Sequence, residues 1–266
     1  MKSFIKLFVF LLLTSCASMP VDISLLLATG TAYNTVYTKD GKPYTGEVFE
    51  NWSNNKLKCK GQLEQGKKLG KWIYYNSEGR IEKELSFIEN YENGNTVVYF
   101  SNGKLHSVSE MKDAKRNGKW TDYYENDSVQ ELGFYKNDLA DSIWVCYFKN
   151  GKIRQKGNYT NGKEVGEWKL YYESGRLKYD GYISNGIANG VGKMYSEDGY
   201  LKYEGNLTNG IPHGMGIEYY ADGNIRFNGR YTNGYANGEM LVYNGNKELV
   251  LRKIFEDGIL TDSIAY

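Results

Sequence analysis

The chain has 266 residues, and its 33 basic and 32 acidic side chains leave a formal net charge of +1. With 41% hydrophobic residues and so little net charge it lacks the composition of a disordered chain, and the even charge balance argues against a general nucleic-acid binder. Glycine (31) and tyrosine (25) are abundant and proline (3) is scarce, which predicts tight turns between aromatic strands.

In chain order, Lys2 and Lys6 precede the apolar run Leu7 to Leu13. Seven residues are too few to span a bilayer, and a basic start before a short apolar core reads as a secretory signal peptide over residues 1–15. Leu13-Thr14-Ser15-Cys16 resembles the bacterial lipobox, in which the cysteine becomes the lipidated N-terminus. That resemblance implies lipid attachment at Cys16 and membrane association through the acyl chains; residues 16–36, which include Leu25-Leu26-Leu27, read as a tether that partly docks on the first repeat. Ala17 stands where enteric lipoproteins retained at the inner membrane carry aspartate, so the likeness implies a lipid-anchored protein of the bacterial cell envelope, at the outer membrane.

The remainder, residues 37–266, repeats. Tyr75, Tyr99, Tyr123, Tyr147, Tyr171, Tyr195, Tyr219 and Tyr243 stand 24 residues apart without a slip. An aliphatic series runs from Leu57 to Leu249 at the same interval, and an apolar one from Leu63 to Phe255. Trp72, Trp120, Trp144 and Trp168 form a fourth, continued by Gly192, Gly216 and Met240. A repeat of this length identifies a stacked architecture before any secondary structure is assigned.

Glycines mark the turns. One turn closes at Gly79, Gly103, Gly151, Gly175, Gly199 and Gly223, with Asn55 and Asp127 replacing glycine there; a second closes at Gly66, Gly162, Gly186, Gly210, Gly234 and Gly258. Each unit reads strand, turn, strand, turn: from Gly166, GEWKLYY, ESG, RLKYDGYI and SNGIAN. The second strand alternates cleanly, which predicts a half-buried strand. Its interior glycine (Gly61, Gly133, Gly157, Gly181, Gly205, Gly229) leaves room for an aromatic ring from the adjacent strand to lie across it. The expected fold is all-β: a single-layer antiparallel β-meander of about nine 24-residue hairpins. The units near Gly94 and Gly118 lose several glycines and are expected to be irregular.

Tyr203-Glu204-Gly205, Asn209-Gly210 and His213-Gly214-Met215-Gly216 resemble the MORN repeat, and Tyr179-Asp180-Gly181 through Gly192 is similar. Gly70-Lys71-Trp72 with Tyr74-Tyr75 and Gly79, and Gly166-Glu167-Trp168 with Tyr171-Tyr172 and Gly175, resemble the bacterial MORN-like variant of the YwqK antitoxin family. The likeness implies an elongated sheet used for scaffolding, membrane association or protein binding, without catalysis; the second family implies an antitoxin or immunity role.

The residues carry no catalytic constellation. His106 and His213 lie several repeats apart, and His213 falls among turn positions filled elsewhere by Asn189 and Asn237. No cofactor and no metal is expected. Cys59 and Cys146 are too many strands apart to bridge, and Cys146 reads as core filler. Trp72, Trp120, Trp144 and Trp168 are expected to line up across one face with Phe100, Tyr124, Phe148, Tyr172 and Tyr220. That stripe is either the core of a sheet without a second layer or an interaction face, Tyr and Trp being enriched at interfaces. Lys56, Lys58 and Lys60 look like protection of the first sheet edge. Three functions fit: an envelope-anchored module binding another protein or envelope component, an antitoxin, or a glycan- or cell-wall-binding module using the aromatic face.

Overall fold

The structure, a computed structural model, describes residues 19–266; the signal peptide and the lipidated Cys16 expected from sequence lie outside the described residues. The fold is an all-β meander in which consecutive strands pair antiparallel from Gly46–Asn51 to Ile259–Ala265. Two single 3-10 turns, Ile23–Leu25 and Ala32–Asn34, precede it. No helix among the described residues is long and apolar enough to cross a membrane.

One unit shows why the chain folds this way. Short strand Ile153–Thr160 turns at Asn161-Gly162 into long strand Lys163–Tyr171, which returns through a five-residue loop to Leu177–Ser184. Asn161 (φ 51°) and Gly162 (φ 77°) are both left-handed, as a two-residue turn matched to strand twist requires. The same geometry recurs at Asp113-Ala114 and Asn137-Asp138, where glycine is absent. The expected turn SNGIAN is therefore only Asn185-Gly186: Ile187 to Tyr195 is strand, and His213 likewise lies in strand Ile211–Tyr219 rather than in a turn. Chain direction is reversed by two residues, so the next two pair across the turn and the third, Asn189 or His213, enters the bulge. In the five-residue loops, Asn55 (φ 64°) and Asp127 (φ 67°) take the left-handed place of glycine, as does Lys247 (φ 68°).

Each long strand also bulges. Asn158 pairs with Val165 and Lys156 with Lys169, so the long strand carries two extra residues opposite Gly157. Gly166 (φ 68°), Gly190 (φ 94°), Gly214 (φ 95°) and Ser142 (φ 61°) supply the bend. Neighbouring units are further tied at both ends. The amides of Gly162, Gly210, Gly234 and Gly258 donate to carbonyls of the preceding unit's long strand. Lys56, Arg80, Lys104, Lys152 and Arg176 donate to carbonyls in the next five-residue loop.

The N-terminal segment partly docks on the array. Val21–Asp22 pairs in parallel with Val48–Phe49, and Leu26 is buried with Val48, Leu63 and Trp72. The three lysines do not guard the edge, because Gly46–Asn51 lies outside their strand and is itself covered by this segment. Residues 37–43 belong to a small three-stranded sheet, Leu27–Thr29, Val36–Lys39 and Lys42–Pro43.

The interior divides in two. One cluster surrounds Trp72 and another runs from Trp144 to Met240. Between them the long strand breaks at Asn93 into Tyr91–Glu92 and Gly94–Tyr99. Here Thr96 occupies the tryptophan position, and the buried core residues are Ser107 and Ser109. The Gly94 unit is thus irregular, whereas Lys115–Tyr123 is continuous.

A Cβ on Gly157 would lie 2.1 Å from the Trp168 ring, which is fully buried and has nowhere to move. Gly157→Ala is expected to lose about 1–3 kcal/mol by overpacking, outweighing the few tenths gained by stiffening the unfolded chain. Gly245→Ala, with open space around it, is expected to stay within about 0.5 kcal/mol of the parent. Urea denaturation of both variants decides this, equal stabilities counting against it.

Candidate functional site

The rings are arranged by two solutions to one packing problem. In the first, Trp72, Trp144 and Trp168 lie across Gly61, Gly133 and Gly157 of the preceding strand, where a Cβ would approach the indole to 2.0–2.2 Å. This is the ring-over-glycine packing expected from sequence. In the second, Gly192 and Gly216 stand at the tryptophan position, and the ring comes from Tyr179 or Tyr203, two residues before Gly181 or Gly205 on the same strand. At Gly229 the nearest side-chain atom is the Met240 sulfur, 2.7 Å from a built Cβ. Where tryptophan fills the hole, the tyrosine place holds Cys59, Ser107, Glu131 or Gln155. Each of these units therefore holds one large ring, from one strand or the other.

The rings form a ladder. Trp120, Tyr135, Trp144, Tyr159 and Trp168 follow one another edge to face, with centroids 5.3–5.8 Å apart, a geometry contributing about 0.5–1.5 kcal/mol per pair beyond burial. The ladder is interior. Trp72 and Trp168 are 0% exposed, and Trp144 is buried as well. Of the two readings of the tryptophan stripe, core holds for Trp72, Trp144 and Trp168, whose indoles lie flat in the space left by a glycine, while Trp120, opposite Ser109, is half-buried and packs against the same cluster.

Phe100, Tyr124, Phe148, Tyr172 and Tyr220 are not among the residues packed against that core. They open the five-residue loops and form a rim along one side of the sheet. The Tyr124, Tyr172 and Tyr220 hydroxyls donate to the carbonyls of Tyr147, Tyr195 and Tyr243, stitching each loop to the next. Lys178 and Arg226 lie over the Tyr172 and Tyr220 rings, and His106 stacks on Phe100. The strand bulges between Tyr74 and Tyr75, and at the same place in later units, so alternation from the tryptophan does not carry into the loop.

The tyrosines of the 24-residue series are half-buried. The Tyr219 hydroxyl donates to Glu204 (2.6 Å), which holds that carboxyl below its ordinary range, while burial and this bond push Tyr219 up to about 12. Glu204 also pairs with Lys193, and Asp180 with Lys169. Asp180, Lys193 and Glu204 line a hollow of about 620 Å³ on the face opposite the ring ladder, with Tyr182, Val191 and Met215 beside it. That face is apolar in the C-terminal units: Tyr182, Ile187, Val191, Ile211, Met215 and Tyr235 are each between 46% and 66% exposed. Earlier units carry Lys67, Lys71, Lys115 and Lys119 at the Ile187 and Val191 positions. The sequence reading missed this face because it followed the residues shared by every repeat, whereas the patch arises where repeats differ.

Among the described residues, the two histidines and two cysteines lie on four separate strands. His106 lies 3.5 Å from Asp122, whose carboxyl is raised chiefly by burial, and His213 accepts the Asn233 amide on a distant strand. Cys59 and Cys146 are buried free thiols; burial pushes Cys59 up to about 11 and raises Cys146 likewise. Both stay protonated near neutrality and so are poor nucleophiles. Among the described residues no group of three His, Cys, Asp or Glu is placed to hold a metal ion.

The MORN repeat matches residues 179–199 and 203–225, and the MORN repeat variant matches 116–137, 141–161 and 164–185. The division coincides with the two ring solutions: tyrosine over glycine in the first group, tryptophan over its partner strand in the second. No curated protein matches the chain. Among solved structures, the wild-type TCP10 domain of Danio rerio CPAP in complex with a peptide of Danio rerio STIL is similar over 79% of this chain and 100% of that chain, at 12% identity and a TM-score of 0.29.

If one ring per unit is the requirement, the two solutions are interchangeable. Trp144→Gly alone is expected to lose about 3–5 kcal/mol. Adding Glu131→Tyr, which recreates the Tyr179–Gly192 arrangement over Gly133, is expected to return more than about 1 kcal/mol. A double variant no more stable than the single one in thermal and urea melts argues against equivalence.

Proposed function

Because the chain carries MORN repeats, a non-catalytic module of protein or membrane interaction, we propose that it is a non-enzymatic interaction scaffold. It is held at the bacterial envelope, at the outer membrane, by a lipid on Cys16. The observation that carries the scaffold role is the apolar face of the C-terminal units. Exposed apolar patches of several hundred Å² mark interaction surfaces, and the rings that would otherwise supply one are buried in the sheet. The partner is a protein or other envelope component that covers this face.

The arrangement suits a tethered scaffold. Residues 21–26 dock on the first units, while Met19, next to the lipid-bearing end, is 86% exposed. The apolar face lies at the other end of the array, in the C-terminal units. The rim rings do not favour glycan stacking, because Tyr172 and Tyr220 are engaged with Lys178 and Arg226 and bonded to the next loop.

Two substitutions test the two parts. In cells, Cys16→Ser is expected to move the protein out of the membrane fraction; unchanged membrane recovery would remove the lipid anchor. The double variant Ile187→Lys, Ile211→Lys, with an unaltered circular dichroism spectrum, is expected to lose the species cross-linked to the parent chain in membranes. Retention of all of them would remove this face from the reading.

A further inference from the structure

We infer that the apolar face of the C-terminal units pairs with the same face of a second copy of this chain, burying sheet against sheet. The inference rests on the reading of that face as an interaction surface and names its partner.

Register places the residues together. Ser184 pairs with Ile187, Glu167 with Tyr182, Val191 with Asn206, Thr208 with Ile211, Met215 with Arg230 and Thr232 with Tyr235. Each alternates along its strand with residues of the ring face, such as Gly181, Ile183 and Gly192, so all point away from the core. The patch therefore spans six consecutive strands on one side of the sheet.

Area and charge select the occupant. At their observed exposures, Tyr182, Ile187, Val191, Ile211, Met215 and Tyr235 present roughly 600 Å² of mostly apolar surface, more than the apolar share of the roughly 800 Å² each partner gives to a standard interface. The face is close to neutral. Lys193 is paired with Glu204, Lys169 with Asp180 and Glu239 with Arg252, the intervening positions include Asn206, Thr208 and Thr232, and the remaining charges, Glu167 and Arg230, are of opposite sign. A face that recognised nucleic acid or anionic lipid would need cations in excess. A neutral apolar face meets its own copy without like-charge repulsion, and a twofold contact needs only one such patch. Two sheets packed face to face stand about 10 Å apart with their side chains interdigitated, and the 620 Å³ hollow beside Val191 and Met215 is where side chains of the second copy enter.

The test is sedimentation equilibrium of the purified full chain in density-matched detergent, with cross-linking of mixed light and heavy isotope copies. The expected results are a protein mass about twice that of the monomer and inter-copy links from Lys163 and Lys193, which border the face. Val191→Lys with Met215→Lys is expected to weaken association about 100-fold or more, the scale of losing central interface contacts, with circular dichroism unchanged. The cross-links need no variant, so a misfolded double mutant leaves the test intact. A monomer at about 100 µM overturns the inference, as do inter-copy links confined to the five-residue loops, or a dimer that persists in the folded double variant. A monomer that floats with neutral phosphatidylcholine vesicles assigns the face to lipid, and a monomer that captures a different envelope protein through it leaves the scaffold role standing. Either also overturns self-pairing.

Discussion

A sheet without a second layer has to make its own interior, and in this chain the interior depends on a missing Cβ. Gly133 and Gly157 leave spaces in which the indoles of Trp144 and Trp168 lie flat against the backbone. Burial of that kind needs no opposing sheet or helix, since the ring is covered by its own sheet and by neighbouring rings. The edge-to-face ladder is a consequence, because each ring lying over a glycine presents its edge or face to the Tyr135 or Tyr159 ring beside it. The alternative, Tyr179 over Gly192, meets the same demand with the ring supplied two residues upstream. The compensation within single units explains how a repeat can lose its tryptophan and keep its fold.

The remaining regularities hold each ring to its hole. Two-residue left-handed turns set the register on one side, and the cation-to-carbonyl bonds of the loops set it on the other. The bulge at Gly166 and its equivalents bends each long strand just before the tryptophan position. Contacts run mainly between adjacent units, so stability approximates a sum of unit and nearest-neighbour contributions. The weak link is the unit with Thr96 and Ser107 at ring positions and Ser109 at the glycine position, where the two core clusters part. On the opposite face lysines persist past that seam, at Lys115 and Lys119, before the apolar C-terminal units.

Most of the fold was legible in the sequence because it rests on local chemistry copied at one interval. The 24-residue tyrosine series, the Asn-Gly pairs and the strand glycines each have one physical reading, and Asn55 and Asp127 announced left-handed turns despite lacking glycine. The limits were local too. Asn189 and His213 resemble turn residues only until a two-residue turn is seen to release them into strand. The rim of Tyr124, Tyr172 and Tyr220 shares the alternation of the tryptophan stripe on paper, and a bulge at each unit breaks it.

Sequence alone determined the repeat, its length, the hairpin order and the ring-over-glycine contact, since each follows from residue type and spacing. Tertiary structure decided which aromatic residues are core and which side chains are left outside. Burial belongs to the assembled sheet: Trp168 is hidden because Gly157 and Tyr159 lie beside it, and Val191 is exposed because nothing among the described residues covers that face. A periodic pattern reports what the repeats share, whereas the candidate binding surface comes from positions at which they differ.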